Sequence, residues 1–215
     1  PCVQAVTKLL ADDYDCLVFH ATGVGGQSME KLADSGLLAG AIDVSTTEIA
    51  DEIAGGVLSA GPTRLDVFAR HALPYVGSCG ALDMVNFGAW ETVPERYKGR
   101  RLYRHNPTVT LMRTTADECR AIGEFLARKL NAMRGPVRFL IPEGGVSAID
   151  KPGGPFHDPE ADRVLFDTLS AQFRAGPDRQ LRRLPLHIND EAFADALVAA
   201  WREVSARGAA EPRRA

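Results

Sequence analysis

His20-Ala21-Thr22-Gly23-Val24-Gly25-Gly26 follows the apolar run Cys16-Leu17-Val18-Phe19 and precedes Gln27-Ser28-Met29-Glu30-Lys31-Leu32. These residues predict a buried strand, a glycine turn, and a helix ending near Ser35-Gly36. Such a junction aims free backbone N–H groups and a positive helix end at an anion. Glycines at this place also serve simply to tighten the turn, so the junction by itself leaves both uses open.

Outward from the junction the pattern repeats. Short apolar runs at 41–44, 74–76, 109–112, 137–141 and 181–186 predict strands, with amphipathic helices between them. Helices are expected over 3–10, 29–35, 49–53, 64–72, 116–133, 159–173 and 191–204. Ser45-Thr46-Thr47-Glu48 and Thr115-Ala116-Asp117-Glu118 both read as capping boxes, and Asp158-Pro159 as an N-cap with proline in the first turn. Alternation of this kind argues for an α/β fold, a three-layer Rossmann-like lobe with a mostly parallel sheet. The lobe is expected over 1–204, with an irregular excursion at 84–107 and a disordered charged tail over 205–215.

Composition narrows the function classes. The 215 residues are 45% hydrophobic and 25% charged, with net charge −3 and a pI near 6.0. This disfavours direct nucleic-acid or anionic-membrane binding. Cysteines at 2, 16, 79 and 119 form no CxxC pair, which suits a reduced, cytoplasmic setting. Spacings such as HxxxH are missing, so no metal site is expected. The sequence opens on Pro1, directly in a helical pattern, and reads as a piece of a longer protein.

Ligands of open α/β sheets bind beyond the strand carboxyl ends, which selects four exit loops. They are 20–26, Ser45-Thr46-Thr47-Glu48, Gly77-Ser78-Cys79-Gly80 and Glu143-Gly144-Gly145. Backbone contacts to phosphate or carboxylate are expected from Gly23, Gly25, Gly26, Ser78, Gly80, Gly144 and Gly145. The dinucleotide fingerprint is only partial, because Ser28 stands where a third glycine belongs, although Asp43 is placed like a ribose-binding acid. Gly77-Ser78-Cys79-Gly80-Ala81 resembles a nucleophile elbow, with Cys79 as nucleophile and His157 or His187 as base. His20, Glu143 and His157 are the other acid–base candidates. Glu143, Asp158 and Asp190 could hold Mg²⁺ beside a phosphate or simply act as caps.

Several longer motifs recur in one order. They are Pro1-Cys2-Val3-Gln4, residues 14–23, residues 75–88, Tyr103-Arg104-His105-Asn106-Pro107, Pro142-Glu143-Gly144-Gly145-Val146-Ser147, Pro155-Phe156-His157-Asp158-Pro159 and Pro185-Leu186-His187-Ile188-Asn189-Asp190. This set resembles the Tm-one-like ATP-binding family, which includes a plant inhibitor of tomato mosaic virus RNA replication. The resemblance implies two Rossmann-like lobes in tandem, of which this chain is similar to the second. It implies ATP, with Mg²⁺, as a ligand of the family, and the N-terminal lobe as a partner. Three functions follow as expectations, in this order: binding of a nucleotide or small phosphorylated metabolite, a homo-oligomerisation or interaction module built on 84–107, and a cysteine-dependent hydrolase.

Overall fold

Two segments buried at every residue, Tyr75–Gly80 and Val137–Pro142, form the middle of a sheet. Strands covered on both faces are made mostly of small or apolar residues, as parallel strands flanked by crossover helices are; the exception is buried Arg138, which pairs with Glu203 at 2.8 Å. The computed structural model describes residues 1–208. In chain order its elements are α1 (Cys2–Leu10), α2 (Val24–Asp34), β1 (Ala41–Ser45), α3 (Thr47–Ala54), α4 (Val67–Arg70), β2 (Tyr75–Gly80), β3 (Met84–Phe87), β4 (Leu102–Asn106) and β5 (Val109–Arg113). There follow α5 (Ala116–Ala132), β6 (Val137–Pro142), α6 (Pro159–Gln172), β7 (Arg179–Leu184) and α7 (Glu191–Gly208). The main sheet has the order β1-β2-β6-β7, with every pairing parallel.

Side chains alternate across this sheet as the pleat demands. Tyr75, Cys79, Phe139 and Ile141 point to the layer of α2–α6. Val76 and Leu140 point to the opposite layer, α1 and α7. Thus three layers form, as the alternation predicts. Local signals hold where they are self-contained. Thr115 and Glu118 form both halves of a capping box on α5, and the Asp158 side chain accepts from Ala161 N–H at the start of α6.

Four expectations are corrected. Residues 84–107 are not irregular: β3 and β4 flank β5 in an antiparallel sheet, with two 3-10 turns between them. The helix expected over 64–72 shrinks to α4, because Leu65 takes a positive φ of 76° that no helix accommodates. The charged tail begins later than 205, since α7 continues through Gly208, and the rest of that expectation lies outside the described residues. Most consequential, Cys16–Phe19 is not a strand. Among the described residues its backbone makes no hydrogen bond to another segment, and Leu17 and Val18 are 60% and 57% exposed. An apolar run becomes a strand only where a neighbour offers a ladder. Among the described residues no helix is long and apolar enough to cross a membrane.

Candidate functional site

The glycine junction does receive a carboxylate, and it comes from the chain itself. Gly23 N–H and Gly26 N–H donate to Glu48 Oε1 at 2.7 and 3.0 Å. Arg64 Nε donates to Glu48 Oε2 at 2.8 Å. Glu48 therefore does not reach back to cap its own helix as the expected capping box required; α3 starts after Thr46 with no side-chain cap. The carboxylate instead serves the positive ends of α2 and α3 together. A Cβ on Gly26 would stand 2.3 Å from Glu48 Oε2, and one on Gly25 would stand 1.7 Å from the His20 carbonyl. These glycines are required by the protein's own close packing.

Arg64 is 3% exposed and also reaches Asp43 at 2.6 Å and Glu30 at 2.9 Å. Burial opposes its charge, but the surrounding carboxylates raise its pKa. Glu30 is raised chiefly by burial. Asp43, placed in the sequence like a ribose-binding acid, is thus an internal ion-pair partner, and Tyr75 hydroxyl also donates to it at 3.3 Å.

The other loops at this edge are likewise packed against backbone. Gly144 N–H donates to Leu186 carbonyl at 2.9 Å and Gly145 N–H to Pro142 carbonyl at 3.3 Å. A Cβ on Gly80 would meet Val44 carbonyl at 2.2 Å. Ser78 is fully buried; its hydroxyl has no partner among the described residues, and its carbonyl accepts from Thr46 hydroxyl.

Cys79 lies inside β2, fully buried. Burial drives its thiol far above the ordinary range, so the thiolate that nucleophilic catalysis requires does not form near neutral pH. His187 is no free base either. Its Nδ1 accepts from Asn189 N–H at 3.1 Å, which leaves Nε2–H to donate to Ser147 carbonyl at 2.9 Å. A hydrolase with Cys79 as nucleophile and His187 as base therefore does not fit this fold. Glu143 is exposed and paired with Arg183 at 2.8 Å, while Asp158 and Asp190 cap local backbone.

What the fold does gather, beyond β2 and β6, is an acidic interior with a histidine at its surface. Asp83 accepts from Ser147 hydroxyl at 2.7 Å, and Asp162 pairs with buried Arg113. Asp150 accepts from Val146 N–H at 2.9 Å. Its second oxygen makes no hydrogen bond among the described residues and lies 3.9 Å from Nδ1 of half-exposed His157. Burial pushes Asp83 up to about 7 and Asp162 to about 8. The sequence reading missed Asp83, Asp150, Asp162, Arg64 and Arg113; their spacing carries no motif. Nothing but the fold brings them together. His20 is exposed on the same carboxyl edge, beside β1.

A parallel, helix-flanked lobe with its polar loops on the strand carboxyl edge is the class of protein defined here. The chain belongs to the uncharacterised protein family UPF0261, matching its C-terminal domain over residues 1–205. It is 61% identical over 205 residues to a UPF0261 protein of Rhizobium meliloti, covering 95% of this chain and 52% of that protein. It is 50% identical over 185 residues to one of Clostridium tetani, covering 86% and 45%. It is also 45% identical over 206 residues to the ToMV resistance protein Tm-1(GCR237) of Solanum lycopersicum, covering 95% and 27%. The family resemblance drawn from the motifs holds. The chain spans about half the length of the bacterial relatives it matches.

Proposed function

We propose that this lobe binds a small anionic ligand, a nucleotide such as Mg²⁺-ATP or a phosphorylated metabolite, beyond the carboxyl ends of its strands. The carrying observation is the His157 corner. Buried Asp150 stands behind the half-exposed imidazole, whose Nε2 makes no hydrogen bond among the described residues. Arg101 donates to the His157 carbonyl at 3.3 Å, and exposed Lys151 has no ion-pair partner among the described residues. His157 and Lys151 belong to one loop, which Arg101 touches while also pairing with Asp158 at 3.8 Å, and groups of these types serve recognition of a phosphate by side chains. The backbone cradle anticipated at the glycine loops contributes less, since the N–H groups of Gly23, Gly26, Gly144 and Gly145 already have acceptors. Exposed His20, on the same edge, is available to a more distant part of the ligand.

Calorimetric titration with Mg²⁺-ATP tests this. Saturable binding is expected. His157→Ala should weaken it about tenfold or more, the worth of one charge-assisted hydrogen bond, without changing the melting temperature. Equal affinity in the variant refutes the reading, as does absence of binding to both the chain and a two-lobe relative.

A further inference from the structure

Asp150 is 0% exposed, yet one of its carboxylate oxygens has no donor among the described residues. A buried acceptor left bare is costly, and a buried charge without a counter-charge more so. The surrounding interior supplies neither. Buried Arg113 is committed to Asp162, to the Phe156 and Asp158 carbonyls and to the Thr114 hydroxyl. The Ser147 hydroxyl is given to Asp83. Among the described residues, the His157 imidazole, with Nδ1 at 3.9 Å, is the cationic group within ion-pair range of Asp150.

The loop fixes that imidazole from both sides. Gly154 N–H donates to the Lys151 carbonyl at 2.7 Å, Phe156 N–H to the Ile149 carbonyl at 3.1 Å, and His157 N–H to the Gly154 carbonyl at 3.2 Å. A Cβ on Gly154 would stand 2.3 Å from the Ile149 carbonyl oxygen, so this turn requires glycine. Arg113 holds the carbonyls on either side of His157, Phe156 at 2.8 Å and Asp158 at 3.2 Å. Closing 3.9 Å to a hydrogen bond takes a ring displacement of about 1 Å. That contact places the imidazole proton on Nδ1, toward Asp150, and leaves the Nε2 lone pair free.

Resting on the anion-binding reading of this corner, we propose that His157 is a phosphoryl acceptor, with Nε2 as nucleophile and Asp150 as its positioning residue. The Nε2 lone pair forms an N–P bond to the terminal phosphorus of the ligand. The P–O bond to the leaving group breaks, and for a nucleoside triphosphate the diphosphate departs with that electron pair. The ring keeps its Nδ1 proton and gains one positive charge, so no proton has to leave. The Asp150 carboxylate stands beside the ring on which this charge develops, where a fixed counter-charge lowers the barrier. Lys151 and Arg101 are cations of the kind that balance the transferred oxygens.

The experiment treats the chain with phosphoramidate, a small donor that phosphorylates free imidazoles, and separately with Mg²⁺-ATP labelled at the γ-phosphate. Mass spectrometry assigns the acid-labile product. His20 and His105, both exposed, are internal references. In the folded chain His157 should react with phosphoramidate at least about tenfold faster than either, and in urea the three should react alike. Asp150→Asn should bring His157 down to the reference rate. Imidazole ¹⁵N spectra should show the proton on Nδ1 in the native chain and a mixture of tautomers in that variant. Where Asp150→Asn does not fold, the native rate ratio decides. Mg²⁺-ATP should label His157, and His157→Ala should abolish the label. A His157 rate equal to the references overturns the proposal, as does Mg²⁺-ATP bound without transfer, which leaves the binding reading intact. Fast phosphorylation of His157 without any binding of Mg²⁺-ATP supports the acceptor and removes ATP as the ligand.

Discussion

Glu48→Ala strikes the junction from which the fold was first legible. Glu48 is 1% exposed, and its carboxylate accepts from Gly23 N–H, Gly26 N–H and Arg64 Nε. Removing it strands three buried donors. Each donor left without an acceptor costs about 1–3 kcal/mol. Arg64 keeps Asp43 and Glu30, so the expected loss is about 3–6 kcal/mol, against a total stability of roughly 5–15 kcal/mol. Glu48→Gln keeps an acceptor for the two amides but turns an NH₂ toward Arg64, for an expected loss of about 2–3 kcal/mol. Urea titration by circular dichroism measures both, with the slopes compared so that a change in the unfolded state is recognised. Hydrogen exchange at Gly23 and Gly26 gives the local readout. A loss below about 1 kcal/mol for Glu48→Ala, or unaltered exchange at those amides, would refute the assignment of this carboxylate as the anion of the loop.

The pH dependence has a definite sign. Asp83 is raised by burial to about 7, so the folded chain holds a proton that the unfolded chain releases near pH 4. Its contribution is fully present below about pH 4 and is lost as pH rises through about 7; Asp83→Asn should flatten that decline, read as urea midpoints at pH 5 and pH 8. Ala81, in a left-handed conformation with φ 57° at the turn after β2, should yield about 1 kcal/mol of stability on Ala81→Gly, seen as a rise of about 2–4 °C in melting temperature. Thiol labelling of the native chain near neutral pH should modify exposed Cys16 and spare buried Cys2, Cys79 and Cys119; rapid labelling at Cys79 would contradict its burial.

Elements whose signals close within a few residues were legible. The Thr115 capping box, the Asp158-Pro159 start of α6 and the apolar stripe of α5 require only neighbours along the chain, and all stand where the sequence places them. The alternation of strand and helix likewise specified a three-layer parallel architecture, because periods of 2 and 3.6 residues dictate which face is buried. Long-range partners were not legible. Ser45-Thr46-Thr47-Glu48 satisfies the capping-box pattern, yet Glu48 turns to amides more than twenty positions earlier, where two helix ends and an arginine outbid a single local N–H. Cys16–Phe19 carries a strand's composition and has no ladder to join. Asp83, Asp150 and His157 share no spacing, and only the return of β6 beside β2 brings them together. Periodicity along the chain determined which elements form. Pairing, burial and the choice of electrostatic partner were decided by the tertiary structure, because each depends on a desolvated neighbour that proximity in sequence does not supply.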